Sequence, residues 1–225
     1  MKPFAMPPLL SRELWFPAPN TAVRDGDLAG LVAFGGDLSV ERLLLAYRSG
    51  IFPWSVDPVT WWSPDPRGII PLTHDDWPRS LRKLIRKEPF RVTFDTAFAQ
   101  VIAGCAEAPR PGGWIGPDFI SAYTRLHEAG HAHSVECWDG DELAGGIYGV
   151  GIGGFFAGES MFHRRPNASK VALWHLVQHL RDRGCTLFDT QMVTDTTERL
   201  GAVEISRRRF LGLLREALSL DCTFA

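Results

Sequence analysis

The amino-acid sequence predicts an α+β protein built around a mainly antiparallel mixed sheet. From residue 132 to residue 163, apolar residues alternate with a period of two in runs separated by short turns, which is typical of antiparallel strands. Helical patterns with their own capping and stop residues precede and follow this stretch. Several strands, then a helix, then a further strand favour a mixed, largely antiparallel sheet with helices packed on it.

A segment dense in proline and tryptophan divides the chain. Its sequence, over residues 52–67, is FPWSVDPVTWWSPDPR. Each proline removes a backbone donor and restricts the residue before it, so we interpret the segment as an irregular connector. We therefore predict a small N-terminal domain over residues 1–63 and a larger domain over residues 64–225.

Helix signals lie on both sides of this segment. Asp37 or Ser39 can cap a helix whose apolar face begins at Leu43, and Gly50 can end it. Pro78 fits the first turn of the next helix, because its missing N–H is not needed there.

The larger domain continues with a strand at RVTFD and helices at TAFAQVIAGCA and FISAYTRLHEAG. After the antiparallel strands, Asn167 or Ser169 can cap a helix that Gly184 ends. TLFDTQM then predicts a buried strand, and a short helical piece and a final helix close the chain.

The composition is that of an ordinary soluble globular protein, with 45% hydrophobic and 22% charged residues in 225. The formal charge of −2 gives no global basic field, so nucleic-acid binding would need a local cluster. The four cysteines form no C-x-x-C pair, which favours a reduced compartment. Prolines interrupt the apolar N-terminus, and no stretch is long enough to cross a bilayer. We therefore expect a cytoplasmic protein.

One local basic cluster has helical spacing. Its members, at i, i+3, i+4 and i+7, are Arg79, Arg82, Lys83 and Arg86. They line one face of the predicted helix. Such a face can follow a phosphate backbone, or it can be a solvated surface, and the sequence leaves both open.

Residues 127–131 match H-E-x-x-H, the pattern of zinc peptidases. In those enzymes both histidines lie on one helix and reach one ion. Here Gly130 precedes His131 and is placed to end the helix that carries His127. We therefore predict two structural histidines and no metal site.

Polar residues interrupt two apolar strands. Asp189 and Gln191 are two positions apart in LFDTQM, so a regular strand would place both on one face. Glu159 has apolar neighbours in AGESMF. Buried polar groups need partners or a function; the alternative is a strand that reaches the surface at its end.

Taken together, several segments resemble the leucyl/phenylalanyl-tRNA–protein transferase family. They occur in that family's order across most of residues 16–210 and include GLVAFGGDLSVERLLLAYRSGIFPW, WWSPDPR, AYTRLHEAGHAHSVECW, LAGGIYGVGIG, FAGESMF, FDTQ and LGAVEISRRRF. The resemblance implies a larger domain similar to the acetyltransferase (GNAT) fold of Fem-type peptidyl transferases. It implies no metal and no other cofactor.

The resemblance also implies an activity. Members of this family move Leu or Phe, and sometimes Met, from aminoacyl-tRNA to the α-amino group of proteins that begin with Arg or Lys. This transfer marks those proteins for degradation. The expected partners are therefore an aminoacyl-tRNA and an acceptor protein.

Site residues carry over from the family's motifs. Asp189 and Gln191 match its catalytic pair, and Trp54 and Trp114 match aromatics that hold the terminal adenosine. Glu159 matches a residue near the substrate α-amino group. The residues that match the walls of the amino-acid pocket are Ile147, Phe156, Met161, Leu173, Leu176 and Phe188. The basic helix matches a patch for the tRNA acceptor stem.

This chain departs from the family's usual pattern at Thr196 and at residues 198–199, next to the catalytic strand. These differences put in question whether the chain shares the family's preference for its protein acceptor.

Two other functions are compatible with parts of the sequence. An acetyl-CoA-dependent acyltransferase would need a pyrophosphate-binding turn that opens a helix, and none is found at the corresponding place. A tRNA-binding module without activity would leave Asp189 and Gln191 with structural roles. Labelled Leu-tRNA, incubated with a protein that begins with Arg, distinguishes them: labelled protein indicates the transferase, and bound but unconsumed tRNA indicates the module.

Overall fold

The N-terminal part of the chain forms a four-stranded sheet with one helix. In the computed structural model, residues 6–109 and 115–224 are described. The first elements are β1 (Leu9–Leu10), β2 (Leu31–Gly35), α1 (Val40–Arg48), β3 (Phe52–Val56) and β4 (Val59–Trp62). The strand order is β1-β2-β4-β3, with β1 and β2 parallel and the other pairs antiparallel. Ser39 caps α1 by accepting the backbone N–H of Arg42, and Gly50 follows the helix with a φ of 75°, which confirms both predictions.

The proline- and tryptophan-rich segment is not an irregular connector. It forms the hairpin β3–β4 and leads into a strand of the second sheet. Pro53 lies in β3, which is at the edge of the small sheet, where a missing N–H removes no bond on the open side. The prediction was wrong because proline disrupts a central strand but is tolerated at a sheet edge.

The rest of the chain is arranged around a seven-stranded sheet. Its strands are β5 (Arg67–Ile70), β6 (Arg91–Phe94), β7 (Ala132–Asp139), β8 (Glu142–Ile152), β9 (Phe155–His163), β10 (Leu187–Gln191) and β11 (Val203–Ile205). Its helices are α2 (Arg79–Ile85), α3 (Phe98–Glu107), α4 (Pro117–Glu128), α5 (Ala168–Asp182), α6 (Asp195–Glu198) and α7 (Arg207–Leu218). The order is β11-β5-β10-β9-β8-β7-β6. Every pair in this order is antiparallel except β9–β10, which confirms a mixed, mainly antiparallel sheet.

Two helix starts differ from the predicted ones. Asn167 occupies the N-cap of α5 with a φ of 68°, but its side chain makes no capping bond. Pro78 is the N-cap of α2 and not a residue of its first turn. Gly184 follows α5 with a φ of 78°, as predicted.

The HEAGH segment lies across the end of α4. The helix ends at Glu128, and Gly130 has a φ of 78°, which confirms the predicted stop. His127 is on the helix, with its ring stacked on Phe98 at 4.3 Å and its Nδ1 2.7 Å from the carbonyl oxygen of Ala132. His131 lies in the connection between α4 and β7, so the two histidines do not share one helix.

The two sheets share one apolar core. The small sheet ends at Trp62 and the large one begins at Arg67, but one buried cluster includes residues of α1 and β3 together with residues of α3, α4 and α7. A second cluster joins α2 and α5 on the large sheet. The boundary between residues 63 and 64 therefore stays a prediction. Among the described residues, no helix is long and apolar enough to cross a lipid bilayer.

Candidate active site

A cleft opens where β9 and β10 run side by side in the same direction. Its main cavity has a volume of about 920 Å³. The ends of α3 and α5, the strands β9 and β10, and the loop into α6 contribute to its walls. Such a volume suits a small-molecule or side-chain site.

Part of the lining of this cavity is apolar. Its lining includes Ile70 and, from the predicted pocket, Ile147, Met161, Leu173 and Phe188. Phe156 and Leu176 are not among the lining residues. Leu176 is fully buried, and the ring of Phe156 lies 5.9 Å from that of Phe188. The main cavity can therefore hold an aliphatic or aromatic side chain away from water.

A second lobe, lined by aromatic residues, joins the main cavity. It has a volume of about 240 Å³ and is lined by Phe52, Pro53 and Trp54. The ring of Trp54 lies 5.9 Å from that of Phe52 and 6.0 Å from that of Trp62. An aromatic lobe of this kind can stack a nucleobase. Trp114, the second predicted aromatic, lies outside the described residues.

The two lobes share a polar junction. The residues that line both are Glu159, Thr190, Gln191, Met192 and Thr194. Gln191 donates from Nε2 to Oε1 of Glu159 at 3.2 Å. The hydroxyl of Tyr123 donates to Oε2 of Glu159 at 3.0 Å, and it lies 2.5 Å from the hydroxyl of Tyr47. A substrate that fills both lobes would place its central atoms beside this junction.

Glu159 has an unusual electrostatic environment. Burial raises the pKa of its carboxyl group to about 7, and the negative charge of Asp189 adds to this rise. Hydrogen bonds from Tyr47 and Tyr123 act in the opposite direction. A carboxyl group with a pKa near 7 can both accept and release a proton at neutral pH.

Asp189 lies below the junction and does not line either lobe. Its carboxylate accepts two bonds from Arg67, with Nε at 2.8 Å from Oδ1 and Nη2 at 2.6 Å from Oδ2. Oδ1 also accepts the backbone N–H of Gln191 at 2.9 Å. Asp189 therefore holds the side chain of Arg67 and the backbone of Gln191 in place, while Gln191 faces the cleft. The strand pairing shifts between these two residues, and Gln191 has a φ of 58°, so the simple alternation assumed from the sequence does not hold.

Arg67 is a site residue that the sequence did not single out. It is buried, and its guanidinium lies 4.8 Å from the ring centroid of Phe52 and 4.4 Å from that of Phe210. Nη1 donates to the carbonyl oxygen of Gly50 at 3.2 Å. The sequence did contain a signal, since Arg67 begins the otherwise apolar strand RGII. A cation buried in such a strand needs a charged or polar partner, which indicates a second buried residue.

Thr190 was also missed. Its hydroxyl is buried and has no hydrogen-bond partner within the described part of the chain, although the residue lines both lobes. An unpaired buried hydroxyl is costly, and such groups concentrate at functional sites. Only the position of Thr190 between Asp189 and Gln191 could have indicated it.

The basic helix lies beside the cleft. Arg79, Arg82 and Lys83 on α2 and Arg86 at its C-cap are all exposed. Leu81 is the buried residue of this helix, so the charged face points away from the core. The structure places these four residues together, apart from the lobes.

Comparison with known proteins adds a family likeness. A sequence profile described as leucyl/phenylalanyl-tRNA protein transferase matches residues 69–215, and one described as the N-terminal domain of that protein matches residues 36–65. A leucyl/phenylalanyl-tRNA–protein transferase of Pseudoalteromonas atlantica is 52% identical over 213 residues, covering 93% of this chain and 90% of that protein. Its counterpart in Syntrophobacter fumaroxidans is 54% identical over 212 residues, covering 92% and 89%.

Among solved structures, L-PGS from Bacillus licheniformis is similar with a TM-score of 0.44 and 14% identity, over 79% of this chain and 70% of that one.

Proposed function

The chain belongs to the leucyl/phenylalanyl-tRNA–protein transferase family, and from that premise we propose which substrates it uses and which residues act. It is an aminoacyltransferase that moves an amino acid from tRNA to a protein. We propose that it transfers Leu or Phe, and Met weakly. The proposed acceptor is the α-amino group of proteins whose first residue is Arg or Lys, which marks them for degradation in the cytoplasm.

The observation that carries this proposal is the division of the cleft into three parts. The apolar lobe suits the esterified side chain, and the aromatic lobe with Trp54 suits the terminal adenosine. The junction with Glu159 and Gln191 lies between them, where the ester carbonyl would sit. We also propose an acetyltransferase-like fold for residues 64–225. The support is a mixed sheet in which the cleft lies at β9–β10, the one parallel pair among the described strands of that sheet.

The reaction is aminolysis of an ester. The neutral α-amino nitrogen attacks the ester carbonyl, the bond between the carbonyl carbon and the ribose oxygen breaks, the nitrogen loses one proton, and the departing ribose oxygen gains one to become a hydroxyl. An α-amino group has a pKa of about 7.7–8.0, so an appreciable fraction is neutral at pH 7. The enzyme therefore needs mainly positioning and a proton acceptor of matched basicity.

Two junction residues supply these needs in the proposal. Gln191 donates from Nε2 to Glu159, and its Oε1, which has no hydrogen bond to any described residue, can accept an N–H of the incoming amine. Glu159, with a pKa of about 7, accepts the proton that the nitrogen loses. Asp189 acts as a positioning residue, because its oxygens are occupied by Arg67 and by the backbone of Gln191.

The test of the proposed function uses labelled donors and defined acceptors. Incubation with labelled Leu-tRNA and a peptide that begins with Arg should yield labelled peptide, and a peptide that begins with Glu should yield none. Bound but unconsumed tRNA would instead support a binding module and refute the proposal.

Narrowing the apolar lobe should change which amino acid is transferred. Leu173→Phe adds volume at a wall of the cavity, so the larger substrate side chain is penalised more. We expect kcat/KM for Phe-tRNA to fall about tenfold more than that for Leu-tRNA. Competition between the two charged tRNAs measures this ratio. An unchanged ratio would contradict the assignment of the lobe.

The basic face of α2 should contribute to tRNA affinity but not to chemistry. In the variant Arg82→Glu/Lys83→Glu we expect Kd for aminoacyl-tRNA to rise about 10- to 100-fold at low salt, with a shallower salt dependence. Transfer from aminoacyl-adenosine should be unchanged, because that donor has no acceptor stem. Filter binding across salt concentrations gives the slope, and an unaltered tRNA affinity would remove α2 from the binding surface.

A further inference from the structure

A separate groove leads from α2 into the main cavity. It has a volume of about 320 Å³ and lies between Leu81 and Leu84 on one side and the start of α5 on the other. Lys170 and Thr196 line both the groove and the main cavity. A chain molecule could therefore pass from the basic helix into the cleft without leaving the surface.

The charge of this groove identifies the class of ligand. Among the described residues its walls include the cations Lys170 and Arg199 and no carboxylate. Lys170 is partly buried and Arg199 is exposed. Asp195 and Glu198 are nearby in sequence on α6, but neither is a lining residue. A groove with this balance attracts anions and repels the basic first residue of the proposed acceptor.

The side of α2 that borders this groove is not its basic face. Leu81 and Leu84 turn towards the groove, whereas Arg82 and Lys83 lie on the opposite, exposed side of the helix. At the start of α5, the N-cap Asn167 makes no side-chain capping bond, although the N–H of Ala168 is bonded to the carbonyl oxygen of Arg165. The positive groups between α2 and the main cavity are therefore the side chains of Lys170 and Arg199, next to the positive end of α5.

We propose that this groove binds the phosphates of the unpaired 3′-terminal nucleotides of the donor RNA, with Lys170 and Arg199 as the contacting side chains. The inference rests on the proposed function and deepens it. The face of α2 would hold the paired stem, and the groove would hold the single strand that leads to the esterified adenosine. Spaced cations along a groove are the general device for holding single-stranded nucleic acid.

The experiment compares three donors of decreasing length: aminoacyl-tRNA, an aminoacylated CCA trinucleotide, and aminoacyl-adenosine. We expect Lys170→Glu and Arg199→Glu each to raise KM about tenfold for both tRNA and trinucleotide. Each should also lower the salt slope by about 0.7 for the phosphate contact that is lost. Arg199→Glu should not alter transfer from aminoacyl-adenosine, because that donor has no phosphate and Arg199 does not line the main cavity. The α2 variant should affect tRNA alone.

Matched controls separate this result from loss of charge and from loss of function. Arg215→Glu changes an exposed cation on α7 and should leave all three donors unchanged. Equal KM for the trinucleotide in wild type and groove variants would overturn the proposal. So would an effect confined to the acceptor peptide, which would assign the groove to the polypeptide. Failure of the wild type with every donor would refute the proposed function instead.

Discussion

Asp189→Ala is expected to destabilise the protein by about 3–5 kcal/mol and to reduce aminoacyl transfer strongly. The substitution leaves the buried guanidinium of Arg67 without its carboxylate, and a buried charge that loses its partner carries a penalty of this size. For a chain of this length the melting temperature should fall by about 6–20 °C. Thermal unfolding followed by circular dichroism measures the change.

A second variant separates folding from catalysis. Arg67→Met/Asp189→Leu removes both charges, and replacing a whole buried ion pair by apolar groups is often neutral for stability. The backbone N–H of Gln191 still loses its acceptor, so we expect the double variant to fold but to transfer slowly, with nearly unchanged Kd for aminoacyl-tRNA. Wild-type kcat in the folded double variant would show that Asp189 is only structural. Equal loss of transfer and of tRNA affinity would make it a binding residue.

An exposed ion pair supplies the control. Glu142 lies 3.0 Å from Arg165, with both side chains largely exposed. Glu142→Ala should cost less than about 1 kcal/mol and should leave transfer unchanged. A comparable loss of stability in this control would indicate that the effect at Asp189 does not arise from burial.

Glu159→Gln is expected to lower transfer about a hundredfold at pH 8 and to change its pH dependence. General-base assistance contributes an effect of about this size or more. In the wild type, both the amine and Glu159 must lose a proton before transfer. Because the pKa of Glu159 is raised to about 7 by burial, kcat/KM for the acceptor should fall steeply below pH 7, with a slope approaching two. Glutamine cannot titrate, so the slope in the variant should approach one.

Tyr123→Phe tests the same carboxyl group in the opposite way. The hydroxyl of Tyr123 donates to Oε2 of Glu159 and lowers the pKa of that group. Its removal should raise the pKa and move the acidic limb of the profile to higher pH, without abolishing it. Rate profiles from pH 5.5 to 9 with a peptide acceptor measure both variants. A wild-type slope in Glu159→Gln would exclude Glu159 as the proton acceptor.

Glu159→Gln should also change the stability of the protein, by an amount that depends on pH. The folded-state pKa of Glu159 is higher than its unfolded value, so the folded protein binds more protons between about pH 4.5 and 7, and stability falls as the pH rises through that window. Glu159→Gln should therefore raise the melting temperature at pH 8 relative to the wild type and much less at pH 5. A substitution that stabilises the fold and strongly lowers activity is typical of a functional group that destabilises the folded protein.

Much of the large sheet could be predicted from the sequence. The period of two between residues 132 and 163 fixed strands that the structure places at β7, β8 and β9, because alternation reports directly which face is buried. The end of α4 could also be predicted from local sequence, because a glycine with positive φ follows the last turn of the helix. Four members of the predicted pocket, Ile147, Met161, Leu173 and Phe188, line one cavity.

Local patterns failed where long-range packing decides. Whether a proline-rich segment forms a strand depends on its place in the sheet. Pro53 is tolerated in β3 because this strand lies at an edge of the small sheet. Asp189 and Gln191 are only two positions apart in the motif, but their different roles follow from Arg67, which is 122 residues away from Asp189 in sequence. No periodicity encodes such a pair.

The sequence by itself determined the strands between residues 132 and 163, most of the helices and the chemical types that meet at the cleft, since caps, periods and motifs act over a few residues. Only the tertiary structure decided which polar group faces the cleft and which is buried beneath it. The physical reason is desolvation. A carboxylate beneath the sheet must be matched by a cation from another strand, whereas one at the junction keeps a proton equilibrium near neutrality. The residues next to Asp189 and Glu159 in sequence do not determine which of these two environments each carboxyl group occupies.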